Sequence, residues 1–351
     1  MKEESLASGI LNRVRDAWHF AARVGRRLQS VVSPPPLILC YHRVFEPESD
    51  PHLLSVSPDR FREQLEVVRR IAQPLALDQL CAALEEKTLP RRGVVLTFDD
   101  GYFDNLENAL PLLRAVEIPA TIYIATGYVG TKREFWWDDL ERLTLGAQNL
   151  PQILQLQING RAFEWNLTGD DTKSRGWDVL IEPDERTPRQ RLFCDLHAAL
   201  RPLPASRQEE VLNQLRSVTN TPLAARPSYR GMAPSELKAL AAETLITLGA
   251  HTISHCDLVA RTPTEQQTEM AGSKKQLEEF IGRPVAHFSY PYGSCHDELV
   301  ASCAASNFRS AVSCDELPVE RGSHPHCLPR FLVRNWKGAE FERRLQEFFR
   351  G

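Results

Sequence analysis

GVVLTFDDGYFDN, residues 93–105, is the stretch whose reading decides the fold. Val94-Val95-Leu96 leads through Thr97 and Phe98 into two adjacent carboxylates and a glycine. An apolar run without polar alternation reads as a strand buried on both faces, as in a parallel sheet. Neighbouring anions repel and have no use inside such a strand. Asp99 and Asp100 therefore belong to its exit, the end at which parallel sheets gather their ligands.

Working outward, strand and helix alternate. Residues 37–41 (LILCY) read as a short buried strand ending at His42-Arg43, and 61–71 as an amphipathic helix with Phe61, Leu65 and Val68 on one face. A helix over 106–116 and a strand over 120–124, introduced by Pro119, follow. The rhythm resumes with a helix at 234–242, a strand at 245–250, a helix at 264–281, a strand at 286–290 and a helix at 297–305. This pattern predicts a parallel α/β sheet, open or closed into a barrel. Between 132 and 230 it breaks down, with helical pieces near 138–147 and 185–217 and a hairpin across 153–165. That region reads as an insertion or lid, since a structureless loop of such length is improbable in a compact domain. The organisation expected is an N-terminal segment with a proline linker (1–36), a barrel (37–131 and 231–340), the insertion (132–230) and a C-terminal helix (341–351).

Leu6, Ile10, Val14, Trp18, Ala21, Val24 and Leu28 form one helical stripe among arginines, and Ser33-Pro34-Pro35-Pro36 ends it. Residues 1–32 carry a net +3 and the remainder −7. A basic amphipathic helix over 6–28 fits peripheral contact with an anionic membrane, or docking on the main domain. The overall net charge of −4 gives no reason to expect a nucleic-acid partner. Eight scattered cysteines without a CxxC pair read as reduced, packed thiols. With no apolar run of transmembrane length and no signal-peptide pattern, a cytoplasmic location is expected, at most peripheral at the inner face of the membrane.

The second motif is His251-Thr252-Ile253-Ser254-His255, after the apolar run 245–250. Two imidazoles four residues apart face one way in a helical or tightly turned segment. With one carboxylate they form a set suited to a divalent metal, with open positions left for water and substrate.

TFDDGY (97–102), HTISH (251–255) and YPYG (290–293) resemble the first three motifs of the polysaccharide deacetylase family, metal-dependent carbohydrate esterases with a distorted parallel (β/α) barrel. YHRV (41–44), IPATIYIA (118–125) and FWW (135–137) extend the resemblance, which covers roughly 37–131 and 231–335. It implies that Asp99 is the catalytic base and that Asp100, His251 and His255 hold the metal, commonly zinc, with cobalt, nickel or manganese as alternatives. The Tyr292 backbone N–H is implied to stabilise the oxyanion.

His42 is expected either at the active-site mouth or as a packed structural histidine. Tyr102 and Tyr292 are expected to line the pocket. Trp136 and Trp137 suit either a sugar-stacking wall or an anchor for the insertion. His324 and His326 read as a polar loop. Two positions depart from the family: the third motif's usual arginine is Ser289, and the late Leu-x-His motif is Leu328-Pro329-Arg330. Arginine is a poor proton donor but can supply the charge that Ser289 lacks, orienting Asp99 by a bidentate contact. The leaving group's proton is then expected from His42, or from Asp99 itself. The function expected is removal of acetyl from an N-acetylated sugar. The alternatives are removal of another small acyl group, such as formyl, and a degenerate barrel that binds carbohydrate without hydrolysing it.

Overall fold

The computed structural model describes residues 34–169 and 176–350. The helix expected over 6–28, with its membrane contact, lies outside them. Eight parallel-paired strands form the central sheet: β1 (Leu37–Tyr41), β2 (Gln73–Pro74), β3 (Gly93–Phe98), β4 (Ala120–Ile124), β5 (Ile246–Ala250), β6 (His287–Ser289), β7 (Ser310–Val312) and β8 (Phe331–Leu332). Their order is β7-β6-β5-β4-β3-β1-β8, with β2 against the start of β3. Every residue of β1, β3 and β4 is buried, as continuous apolar runs demand in a parallel sheet. One segment seams the two edges together. Leu328 bridges Val312 of β7, and three residues later Phe331 pairs with Leu39 of β1. The sheet thereby curls into a distorted barrel, with Arg330 carried on the seam.

Helices cover the outside. In α1 (Pro58–Ile71) the Ser57 hydroxyl accepts the Arg60 N–H as an N-cap, and Phe61, Leu65 and Val68 face inward. After α2 (Leu77–Glu85) and α3 (Leu110–Val116) the chain leaves the barrel for the insertion. There α4 (Trp136–Thr144), α5 (Pro188–Leu200) and α6 (Ala205–Thr219) surround a core of their own, which reaches the barrel through Tyr102 and Ala125. The helical pieces expected near 185–217 are two helices, separated where Pro202 and Pro204 remove backbone donors. The hairpin Ile153–Ile158/Arg161–Asn166 turns at Asn159-Gly160, both with positive φ, as a tight primed turn requires. The chain returns through α7 (Pro234–Ala241), α8 (Pro263–Ile281) and α9 (Asp297–Ala305). The last helix, α10 (Gly338–Phe348), starts and ends three residues earlier than the 341–351 expected.

The expectation of uniformly reduced cysteines is corrected: Cys295 and Cys327 form a disulfide. It ties the loop after β6 to the start of the seam. Replacing both with serine frees a 32-residue loop, and a stability loss of roughly 3 kcal/mol is expected in thermal melts compared with the oxidised wild type. An unchanged melting temperature would mean that the bond does not hold the seam. Among the described residues, no helix is long and apolar enough to cross a membrane.

Candidate active site

The paired aspartates part company within one residue. Asp99 N–H still donates to Tyr41 O at 3.0 Å, continuing the β1–β3 ladder. Asp100 then adopts φ 74° and Gly101 φ 83°, and Gly101 N–H folds back to Asp99 O at 3.0 Å. This left-handed turn at the strand exit sends the two carboxylates to different partners. The positive φ favours glycine at 101, and a Cβ there would also press on the tip of Ile124, 2.8 Å from its Cδ1.

Asp100 faces His251 and His255, delivered by the loop after β5. That loop is a tight turn rather than a helix, with Thr252 at φ 63° and His255 at φ 54°. Left-handed non-glycine residues are costly and are held only where surrounding contacts over-determine them. Here Glu269 of α8 accepts the Ile253 and Ser254 N–H groups at 2.8 and 2.9 Å and the Ser254 hydroxyl at 2.7 Å. The His251 Nδ1–H donates to Ser289 O at 2.7 Å, which leaves Nε2 as a free lone pair. His251 Nε2 and His255 Nε2 lie 3.5 and 3.3 Å from Asp100 Oδ1, which has no hydrogen-bond donor of its own and is buried. Two donors at about 2.1 Å from a tetrahedral cation stand about 3.4 Å apart. The three residues therefore fit a divalent metal, with Asp100 Oδ1, His251 Nε2 and His255 Nε2 as its ligand atoms.

Asp99 turns the other way, onto Arg330. Nη1 and Nη2 donate to Oδ1 and Oδ2 at 2.8 and 2.7 Å, a two-pronged ion pair with Arg330 fully buried. The remaining guanidinium donors reach Ser313 O (2.8 Å), Thr97 Oγ1 (3.1 Å) and Ser289 Oγ (3.0 Å). The Ser289 hydroxyl in turn donates to Asp99 Oδ2 at 3.1 Å. So the cation missing at 289 is supplied from the seam, and Ser289 stays as a small hydrogen-bonding spacer. Burial pushes the Asp99 carboxyl up, but Arg330, followed by His251, outweighs it and brings it down to about 2.

His42, half-buried just past β1, brings a ring nitrogen within 4.8 Å of an Asp99 oxygen and of Cys40 Sγ. Tyr292 has left-handed backbone (φ 60°), with its ring 5.0 Å from that of His255 and under the Arg201 guanidinium. The Trp137 ring lies 4.4 Å from His255, and Trp136 stacks on His197 of α5. Both tryptophans are almost fully buried, in the packing between barrel and insertion. Tyr102 departs from expectation: it is completely buried, its hydroxyl donating to Asp138 Oδ2 at 2.7 Å and accepting the Trp137 Nε1–H at 2.8 Å. An inward strand-end ring is claimed by the insertion before substrate can reach it. Tyr102→Phe takes the hydroxyl from a buried indole N–H and a half-buried carboxyl, and a loss of about 1–3 kcal/mol is expected with KM unchanged. A raised KM without a fall in melting temperature would return Tyr102 to the substrate wall. His324 and His326 stay in their own turn, where the His326 Nε2–H donates to Phe308 O at 2.8 Å.

Sequence reasoning missed the supports: Glu269 under the histidine loop, Thr97 and Ser313 around Arg330, and Arg43, which is buried and pairs with Asp104 at 2.9 Å. Of these, only the basic residue directly after the first strand, in YHRV, carried a visible signal.

The profile described as "Polysaccharide deacetylase" matches residues 86–150 and 211–311, the gap falling on the insertion. The chain is 36% identical over 84 residues to the poly-β-1,6-N-acetyl-D-glucosamine N-deacetylase of Escherichia coli K12, covering 23% of this chain and 12% of that protein. Against the enzyme of the same name from Staphylococcus aureus MSSA476 it is 33% identical over 107 residues, covering 27% and 37%. These alignments span 12% of the first relative and 37% of the second. Among solved structures, IcaB from Ammonifex degensii superposes with a TM-score of 0.55 at 17% identity, over 91% of this chain and 98% of that one. A polysaccharide deacetylase from Bacillus cereus gives 0.54 at 15%, over 89% and 69%. The curled parallel sheet is thus shared with those structures, and the matched profile contains both the TFDDGY and the HTISH segments. Over residues 86–150 and 211–311 the chain belongs to the polysaccharide deacetylase family.

Proposed function

We propose that the protein is a metal-dependent hydrolase that removes acetyl from an N-acetylated sugar of a polysaccharide, oligosaccharide or glycolipid. The observation that carries this reading is the placing of Asp99, gripped by Arg330, beside the Asp100–His251–His255 donor set. The names of the Escherichia coli and Staphylococcus aureus relatives support a β-1,6-linked N-acetylglucosamine polymer as the substrate class.

A divalent cation, zinc by preference for two imidazoles and a carboxylate, would polarise the acyl carbonyl and acidify water when bound at Asp100, His251 and His255. Asp99 then takes the proton of the attacking water. A carboxylate held near 2 is a weak base, so it can act only on a water that arrives already acidified. Arg330 keeps that carboxylate ionised and aimed, and its satisfied donors allow no other orientation. The Tyr292 N–H offers a hydrogen bond to the tetrahedral oxyanion. His42, half-open beside Asp99, gives a proton to the departing amine.

The test is acyl release by zinc-loaded protein from a panel of N-acetylated and N-formylated sugars and β-1,6-linked oligomers. Acetate release that chelator abolishes is expected. Formate release alone would make the protein a deformylase, and no release with metal bound would make it a carbohydrate-binding barrel.

A further inference from the structure

Two thiols that hydrolysis does not use meet at the Asp99–Arg330 pair. Cys40, on β1, is fully buried with Sγ 3.7 Å from Asp99 Oδ2. Cys314, two residues past β7, is exposed, and its Sγ lies 3.5 Å from Arg330 Nη2. Asp99 Oδ2 and Arg330 Nη2, 2.7 Å apart, thus each hold one of the two sulfurs. Cys314 also fills the space beside the loop that presents Tyr292: a Cβ on Gly293 would stand 2.3 Å from Cys314 Cβ. The thiol pair therefore touches the proposed base, its cation and the proposed oxyanion loop at once. Among the described residues the other free cysteines, at 81, 194, 256 and 303, are buried or half-buried.

We infer that Cys314 and Cys40 form a thiol-exchange site, at which a low-molecular-weight disulfide such as oxidised glutathione closes a Cys40–Cys314 bond and turns the active site off. Cys314 is the attacking thiol, being the accessible one. The neighbouring Cys40 side chain and the Arg330 cation, whose Nη2 lies 3.5 Å from the sulfur, hold the Cys314 thiol below its ordinary range and favour the thiolate, the form that reacts. Its sulfur attacks one sulfur of glutathione disulfide, and the first glutathione leaves as a thiol with the proton Cys314 gave up. Cys40 then attacks the Cys314 sulfur of this mixed disulfide and releases the second glutathione thiol. The protein loses two protons and two electrons, and glutathione disulfide gains them. Closing the bond takes the Cys40 S–H from Asp99 and the Cys314 sulfur from Arg330, and moves Cys314 against the tightly packed Gly293. Displacement of a positioned base and oxyanion donor by about an ångström is enough to cost about 10²-fold in turnover.

The effect on turnover rests on the proposed hydrolase; the cross-link does not. Full-length, zinc-loaded protein is treated with oxidised glutathione, alkylated and mapped by non-reducing mass spectrometry, with acyl release and metal content measured before and after reduction. The expected result is a Cys40–Cys314 peptide pair, turnover lowered about 10²-fold at constant metal content, and recovery on reduction. Cys314→Ser should give the same rate before and after glutathione treatment. A map without the Cys40–Cys314 pair, including one in which Cys314 instead exchanges with Cys295 or Cys327, overturns the site. A formed pair with unchanged turnover overturns the switch. If no substrate is hydrolysed in either state, the hydrolase reading fails and the map alone decides: the pair present supports the exchange site, and its absence overturns it.

Discussion

Asp99→Asn is expected to bind zinc as tightly as wild type while losing about 10²–10⁴-fold in turnover, the range a positioned general base supplies. The separation follows from the turn at Asp100. Asp99 makes its contacts with Arg330 and Ser289, and Asp100 makes its own with the two imidazoles. Asparagine keeps the size of the side chain and its carbonyl oxygen can still accept from Arg330, so the fold around the seam should persist with a lowered melting temperature, because the buried guanidinium loses its counter-charge. What it cannot do is take a proton from water. Loss of zinc binding in Asp99→Asn equal to that in Asp100→Ala would erase the division of labour between the two aspartates.

Arg330→Ala should damage stability more than Asp99→Asn does. It strands the buried Asp99 carboxylate without its partner, for which a stability loss of about 3–5 kcal/mol is expected. A second readout separates this from simple unfolding. In wild type Asp99 is held down at about 2, so it stays ionised through the ordinary working range. A carboxyl with a depressed folded pKa stabilises the protein above its unfolded value, and that contribution fades as pH falls through the folded one. Without Arg330, burial is left to push Asp99 upward. The acid limb of the turnover profile should therefore move to higher pH, and turnover at neutral pH should fall about 10²-fold. Adding Ser289→Arg returns a guanidinium to the strand beside Asp99 and should restore part of the rate. A variant that folds, turns over at the wild-type rate and keeps the wild-type pH profile would leave Arg330 with a purely structural part.

Much of this was legible in particular residues. The apolar run into Asp99-Asp100 marks a parallel strand and its ligand-bearing end, and the alternation around it gives the sheet. The pairing of Arg330 with Asp99 was readable as a compensated absence, since a serine stood where a cation was due and a cation stood where a histidine was due. Other features leave no local trace. β8 is two residues long, too short for any periodicity, yet with Leu328 it closes the barrel. Pairing of Cys295 with Cys327 depends on which loops the fold brings together, and spacing does not encode that. Tyr102 reads like a pocket residue because it follows the aspartates. Its burial is decided by Phe135, Trp137 and Asp138, which arrive from the insertion.

The most direct test of the account is zinc stoichiometry and affinity, measured by calorimetry on chelator-stripped wild type, Asp99→Asn, Asp100→Ala and His251→Ala, with acetate release from an N-acetylglucosamine oligomer followed on the same samples. One tightly bound zinc is expected in wild type and in Asp99→Asn and none in the other two, with acetate release about 10²-fold or more slower in every variant than in wild type. Tight zinc binding that survives both Asp100→Ala and His251→Ala, or acetate release at the wild-type rate from stripped protein, would contradict the account.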